Sequence, residues 1–210
     1  MRGEPIAKQL LTIIYPGFAE WEVVFPLFCV YPAIEYQFVA IEERRVRGTM
    51  GFEIETQWTL EDADFAGFDG IYLPGGIDPT EKRFPRSLGE HEGLLNLLRR
   101  FADQKKVIAA ICGAPLVLGA AGLLDGKRFA CDVTEDTRGW LDKGYRVDGL
   151  LAVDGQILTG SVQALIPFSA ALARLLGKEK AAQEIEDFFN LEMDEGRLRD
   201  SLHGKDRNIR

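Results

Sequence analysis

Short, unbroken apolar runs alternate along this chain with stretches in which leucine and phenylalanine recur every three or four positions. The run at residues 10–15, from Leu10-Leu11-Thr12-Ile13-Ile14, predicts a buried strand. Pro16-Gly17 breaks it, and a helix is expected over about 19–31. A second strand is expected at 36–42, a small hairpin excursion at 51–55, and a short buried strand at 70–73 ending in Pro74-Gly75-Gly76. Leu94, Leu95, Leu98 and Phe101 share one face of a helix expected over about 88–103. Val107-Ile108-Ala109-Ala110-Ile111 then reads as a strand, with a helix opening at Gly113. Alternation of this kind predicts an α/β fold with a largely parallel sheet.

Beyond Gly126 the pattern loosens. Phe129-Ala130-Cys131 predicts a short strand, and residues 134–142 a helix with Thr134 as its cap. Strands are expected at 145–153 and 156–159, separated by the turn formers Asp154-Gly155. Helices follow at about 166–176 and 178–193, the second with Ala181, Ile185, Phe188 and Phe189 on one stripe. With no repeat or linker, residues 1–210 read as one domain, closed by a polar tail at 196–210.

A formal net charge of -8 argues against a nucleic-acid partner, which requires a basic footprint, but leaves anionic small substrates open because they feel local charge. No apolar stretch is long enough to span a membrane, and the N-terminus lacks the apolar segment of a secretory signal, so a cytoplasmic location is expected. Cys29, Cys112 and Cys131 form no C-x-x-C pair, which removes a zinc or thioredoxin reading and fits a reducing compartment. No cofactor is expected: there is no G-x-G-x-x-G, and residues 122–128 have the wrong spacing for a phosphate loop.

The candidate chemistry centres on Cys112. It stands where an apolar strand turns through small residues into Pro115 and a helix, the corner at which a nucleophile elbow displays its reactive atom. A helix N-terminus there would favour thiolate over thiol. A buried structural cysteine is the plainer alternative, since free cysteine is among the most buried residue types. Gly75-Gly76 lets backbone N–H groups approach a reacting atom, although a tight turn would explain the pair alone. Glu22 shares a helix face with Phe25 and Pro26, and an inward carboxyl beside a thiol would have its pKa raised and could hydrogen-bond the sulfur. Glu20 is expected to face solvent.

Three segments, Gly17-Phe18-Ala19-Glu20-Trp21-Glu22, Leu73-Pro74-Gly75-Gly76 and Ala109-Ala110-Ile111-Cys112-Gly113-Ala114-Pro115, occur in an order that resembles the ThiJ/PfpI superfamily. Leu158-Thr159-Gly160-Ser161 and Leu175-Leu176-Gly177-Lys178-Glu179 extend the resemblance from Leu10 through Phe189. That superfamily includes the parkinsonism-associated deglycase, glyoxalase III-type enzymes and protease-like proteins. The resemblance implies a flavodoxin-like three-layer sandwich related to class I glutamine amidotransferases, assembled as a homodimer. It implies Cys112 as nucleophile, Glu22 as the carboxyl contacting its sulfur, and the amides around Gly75, Gly76 and Gly113 as an oxyanion site. The usual histidine is missing: deglycase-like relatives carry it where this chain has Asp132, and protease-like relatives where it has Gly113. His91 and His203 fit neither pattern and are expected at the surface.

A full protease triad is therefore disfavoured, while cysteine chemistry is not. Asp132 could accept a proton or orient a substrate, but its charge would oppose a nearby thiolate. Three readings follow: a cysteine-dependent hydrolase or lyase for small aldehydes, amides or acyl compounds; a stress or regulatory protein sensing oxidation at Cys112; or a dimeric binding domain without chemistry.

Overall fold

The computed structural model describes residues 7–62, 64–133, 136 and 138–189. The first half winds in repeated strand–helix units. β1 (Lys8–Ile14) runs into α1 (Glu20–Val30), β2 (Ile34–Ala40) follows, and a hairpin of β3 (Arg45–Arg47) and β4 (Glu53–Glu55) precedes β5 (Trp58–Thr59). Next come β6 (Gly70–Leu73), a 3-10 turn at Arg86–Glu90, α2 (Glu92–Asp103), β7 (Val107–Ile111) and α3 (Pro115–Ala120). The chain continues through β8 (Arg128–Phe129), β9 (Tyr145–Arg146), β10 (Leu151–Asp154) and β11 (Ile157–Gly160). A 3-10 turn at Val162–Ala164, α4 (Leu165–Leu175) and α5 (Glu179–Phe189) complete the described fold.

The main sheet has the order β10-β11-β7-β6-β1-β2-β5. All its neighbours are parallel except β10 and β11, which form an antiparallel hairpin at one edge. Its central strands are buried on both faces, so they read as continuous apolar runs; all five residues of β7 are buried. From β1 the chain crosses outward to β2, and from β6 it crosses the other way to β7. Right-handed crossovers of opposite sense place α1 and α2 on opposite faces, giving an α/β sandwich. α2 buries Leu94, Leu95, Leu97, Leu98 and Phe101 on its inner stripe, each contributing about 1.5–3 kcal/mol of apolar transfer. α1, α4 and α5 pack together on the other side.

Reversal of the winding between β1 and β6 leaves a crevice at the carboxyl ends of the central strands, where ligands bind in open α/β sheets. The segments following β1, β6 and β7 all end there.

Several sequence expectations require correction. Residues 138–143 form turns rather than the end of a 134–142 helix, and the cap expected at Thr134 lies outside the described residues. The strand expected at 145–153 is two short strands, β9 and β10, interrupted by bends at 148–150 around Asp148-Gly149. The strand at 129–131 is only Arg128–Phe129, paired with β9 outside the main sheet. The helix expected from 88 begins at Glu92, after the 3-10 turn. The end of the last helix at 190–193, the tail at 196–210 and His203 lie outside the described residues. Among the described residues, no helix is long and apolar enough to cross a membrane.

Candidate active site

Cys112 follows β7 with φ of 60°, the left-handed region that a side-chain-bearing residue enters at a cost of about 1–3 kcal/mol. Two backbone bonds hold it there. Its N–H donates to the Gly160 carbonyl at 2.7 Å, and its carbonyl accepts from the Asp132 N–H at 2.8 Å. The turn directs the thiol into a cavity of about 310 Å³ lined also by Gly76, Gly113, Phe84, Arg83, Arg86 and Asp132.

Glu22 reaches the thiol from the first turn of α1 and is only 1% exposed. Its Oε2 accepts the Gly75 N–H at 2.7 Å, and its side chain hydrogen-bonds Cys112. Gly75 is fixed in turn, since its carbonyl accepts the Ala19 N–H at 2.9 Å. A Cβ on Gly75 would fall 2.5 Å from Glu22 Oε2 and 2.6 Å from Cys112 Cβ, so only glycine allows this approach. Tyr15 donates to the Pro74 carbonyl at 2.8 Å and Tyr72 donates to the Glu22 carbonyl, bracing both segments from the core.

Burial pushes the Glu22 carboxyl up to about 7; the Gly75 amide and Cys112 oppose that rise, and Asp132 adds to it. Burial also pushes the Cys112 thiol far above its ordinary range, reinforced by Glu22 and Asp132 and opposed by the Gly113 amide. These shifts run against the thiolate expected at a helix N-terminus. Burial first, and then Glu22 and Asp132, oppose the thiolate, and α3 is only six residues long. Cys131 is pushed up to about 11, first by burial, and burial raises Cys29 as well.

The geometry brings Cys112, Glu22, Gly75, Gly76, Gly113 and Asp132 together. It also divides their work. The Gly75 N–H is engaged by Glu22, so this amide holds the carboxylate instead of an oxyanion. Gly113 donates its amide to the Cys112 sulfur. Asp132 is exposed at the cavity wall, with Oδ2 accepting the Val162 N–H at 2.8 Å.

Two further expectations change. Glu20 is buried at 1% exposure and accepts bonds from the Thr49 hydroxyl, the Met50 amide and the Phe52 amide. These partners come from the β3–β4 hairpin, which the local helix pattern does not register. His91 is half-buried and caps α2, its Nδ1 accepting the Leu94 N–H at 3.2 Å. Arg83 and Arg86 were not singled out in the sequence. Their signal was the basic cluster Lys82-Arg83 with Arg86, in an acidic chain, after Gly75-Gly76.

A profile of the DJ-1/PfpI family matches residues 8–175. A deglycase from Thermococcus kodakarensis is 26% identical over 67% of this chain and 86% of its own length. Isonitrile hydratase from Pseudomonas putida is 28% identical over 86% of this chain and 77% of its own. Among solved structures, a cysteine mutant of a DJ-1 superfamily protein from Salmonella typhimurium superposes with a TM-score of 0.74 at 27% identity, covering 87% of this chain and 98% of that one. The profile spans most of the chain and the solved relative shares its fold, and the chain belongs to the DJ-1/PfpI family.

Proposed function

We propose that this protein is a cysteine-dependent enzyme acting on small carbonyl compounds, with Cys112 as nucleophile and Glu22 as its proton acceptor. The observation that carries this reading is Glu22 itself, held by the Gly75 amide against the Cys112 thiol with its carboxyl raised to about 7. A base of that pKa suits proton transfer near neutral pH. It replaces the histidine of a Cys–His pair.

With an aldehyde, the sulfur adds to the carbonyl carbon while the thiol proton passes to Glu22. The carbonyl π pair moves to oxygen, and Glu22 returns the proton there, giving a hemithioacetal with no redox partner. The Gly76 backbone, which lines the cavity, flanks the oxygen as charge develops, while the Gly113 amide stays on the sulfur. Asp132, at the cavity wall, orients the substrate or a water. Relatives named as a deglycase and an isonitrile hydratase support an enzymatic reading.

Methylglyoxal turnover tests the proposal. It should vanish in Cys112→Ser and, in the wild type, rise with pH through about 7 as Glu22 becomes able to accept a proton. No turnover across aldehyde, amide and acyl panels by folded protein would overturn it. Oxidation sensing is the second reading. Burial, Glu22 and Asp132 all raise the Cys112 thiol, which opposes the thiolate that peroxide oxidises, and oxidation lacks the base that Glu22 supplies to carbonyl addition.

A homodimer is also proposed. Trp21, Val24, Phe25 and Phe28 of α1, with Met50 and Phe52 of the hairpin, line an apolar groove of about 420 Å³. Phe28 is 67% exposed, and a second copy would cover such a face.

A further inference from the structure

Part of the Cys112 cavity wall comes from the loop after β6 and the start of the 3-10 turn at Arg86–Glu90. This loop is held internally. Asp78 Oδ1 accepts the Thr80 and Glu81 amides at 2.8 Å each, and the Asp78 N–H donates to the Arg83 carbonyl at 2.8 Å. Phe84 anchors it: the side chain is 7% exposed, lies edge-on to Tyr15 at 6.4 Å, and occupies the space a Cβ on Gly113 would need, 2.5 Å away. Arg83 and Arg86 flank this anchor, and both line the cavity with Cys112.

We propose that the cavity selects carbonyl substrates bearing a carboxylate beside the reacting carbon, small 2-oxo acids of the glyoxylate type, and that Arg83 and Arg86 hold that carboxylate. The inference rests on Cys112 being the nucleophile. Guanidinium groups match a planar carboxylate geometrically, and charge-assisted hydrogen bonds are the strong ones. Among the described residues, three acids around the cavity have partners of their own. Glu81 accepts from Arg83 Nε at 2.5 Å and fixes the orientation of its guanidinium. Asp132 has one oxygen on the Val162 amide, and Glu22 is engaged by Gly75 and the thiol. A neutral aldehyde such as methylglyoxal would use the same nucleophile without drawing on the arginines.

Iodoacetate and iodoacetamide differ chiefly in charge and alkylate the same sulfur, so their rate ratio at Cys112, followed by peptide mapping, reads selection independently of turnover. The ratio should exceed that at Cys112 in the Arg83→Gln and Arg83→Gln/Arg86→Gln proteins, by on the order of tenfold for the double variant. It should collapse toward the variant's value at high salt, and rise in Asp132→Asn. A ratio indifferent to Arg83→Gln, the double substitution and salt would overturn the proposal. If the thiol reacts with neither reagent, the binding of lactate against lactamide to the wild type and Arg83→Gln decides: preference for lactate that weakens in the variant supports the proposal, and equal affinities overturn it. Failure of methylglyoxal turnover alone would count against the enzyme reading, leaving the charge ratio to stand or fall separately.

Discussion

Glu20 and Glu22 stand two residues apart in the first turn of the same helix, and each is 1% exposed. Their carboxyls nonetheless move in opposite directions. Burial would raise Glu20, but the Met50 amide, its own amide, the Thr49 hydroxyl and the Phe52 amide together hold it below its usual value. Burial raises Glu22 to about 7, because one amide and a thiol provide too little compensation and Asp132 faces it. Burial alone therefore does not decide what a carboxyl is for; the supply of donors does. Glu20 is a structural anion that ties the hairpin to α1. Glu22 is left able to gain and lose a proton beside the sulfur.

The contrast is tested most severely at Glu22. Replacement by Gln should lower aldehyde kcat/KM by about 10²–10⁴-fold in steady-state assays, the range of a lost acid–base group. Its stability should respond in the opposite sense. The folded carboxyl titrates near 7 against an ordinary 4.5, so between those pH values the folded state binds more protons than the unfolded one. Wild-type stability should fall as pH rises through that window, by up to about 3 kcal/mol, and Glu22→Gln should flatten the decline in urea titrations. A variant that loses both activity and stability at pH 8 would break the distinction.

Gly75→Ala should come next. The added methyl meets Glu22 and Cys112 together, costing about 1–3 kcal/mol by overpacking and reducing turnover through misplacement of both groups. Melting temperature and methylglyoxal assays check the two effects. Glu20→Gln should cost about 1–3 kcal/mol through its weakened buried bonds while reducing kcat far less than Glu22→Gln. Because the Glu20 pKa is lowered, its contribution is fully present above the ordinary carboxylate value and is lost as pH falls through the depressed one. The acid limb of the wild-type stability curve should therefore be steeper than that of Glu20→Gln. The smallest effect on the fold is expected at Phe28→Glu, within about 0.5 kcal/mol for an exposed site, with light scattering reporting a monomer in place of a dimer.

What the sequence disclosed follows the range of the forces involved. β7 and the face of α2 were legible because burial on two sides or one writes a local pattern. The corner at Cys112 was legible because small residues and Pro115 must follow it closely. Glu20 was misread because its donors arrive from residues 49–52, and no helix periodicity carries that information. Gly48 was the faint clue: a Cβ there would lie 2.4 Å from the Glu20 side chain. β8 and β9 are two residues each and are held by long-range partners, each other and, for the β8 segment, Asp154 and Thr159, so residues 129–153 could not be divided correctly from pattern alone. The thiol was misjudged for a related reason. A helix N-terminus is visible in the sequence, and Glu22 and Asp132 were expected near the sulfur, whereas the depth at which the fold buries that sulfur, the first cause of its raised pKa, is a property of the folded chain.

The loop anchored by Phe84 separates two design problems. Sulfur, carboxylate and close-packed glycines sit at the ends of central strands, where almost any added atom collides. Arg83 and Arg86 belong to a self-contained surface segment fastened beside them. Under the role proposed for Arg83 and Arg86, exchange of the exposed residues of this segment around a retained Phe84 would alter substrate choice while leaving the sulfur, the carboxyl and the glycines in place, a modular route to new specificities on one scaffold.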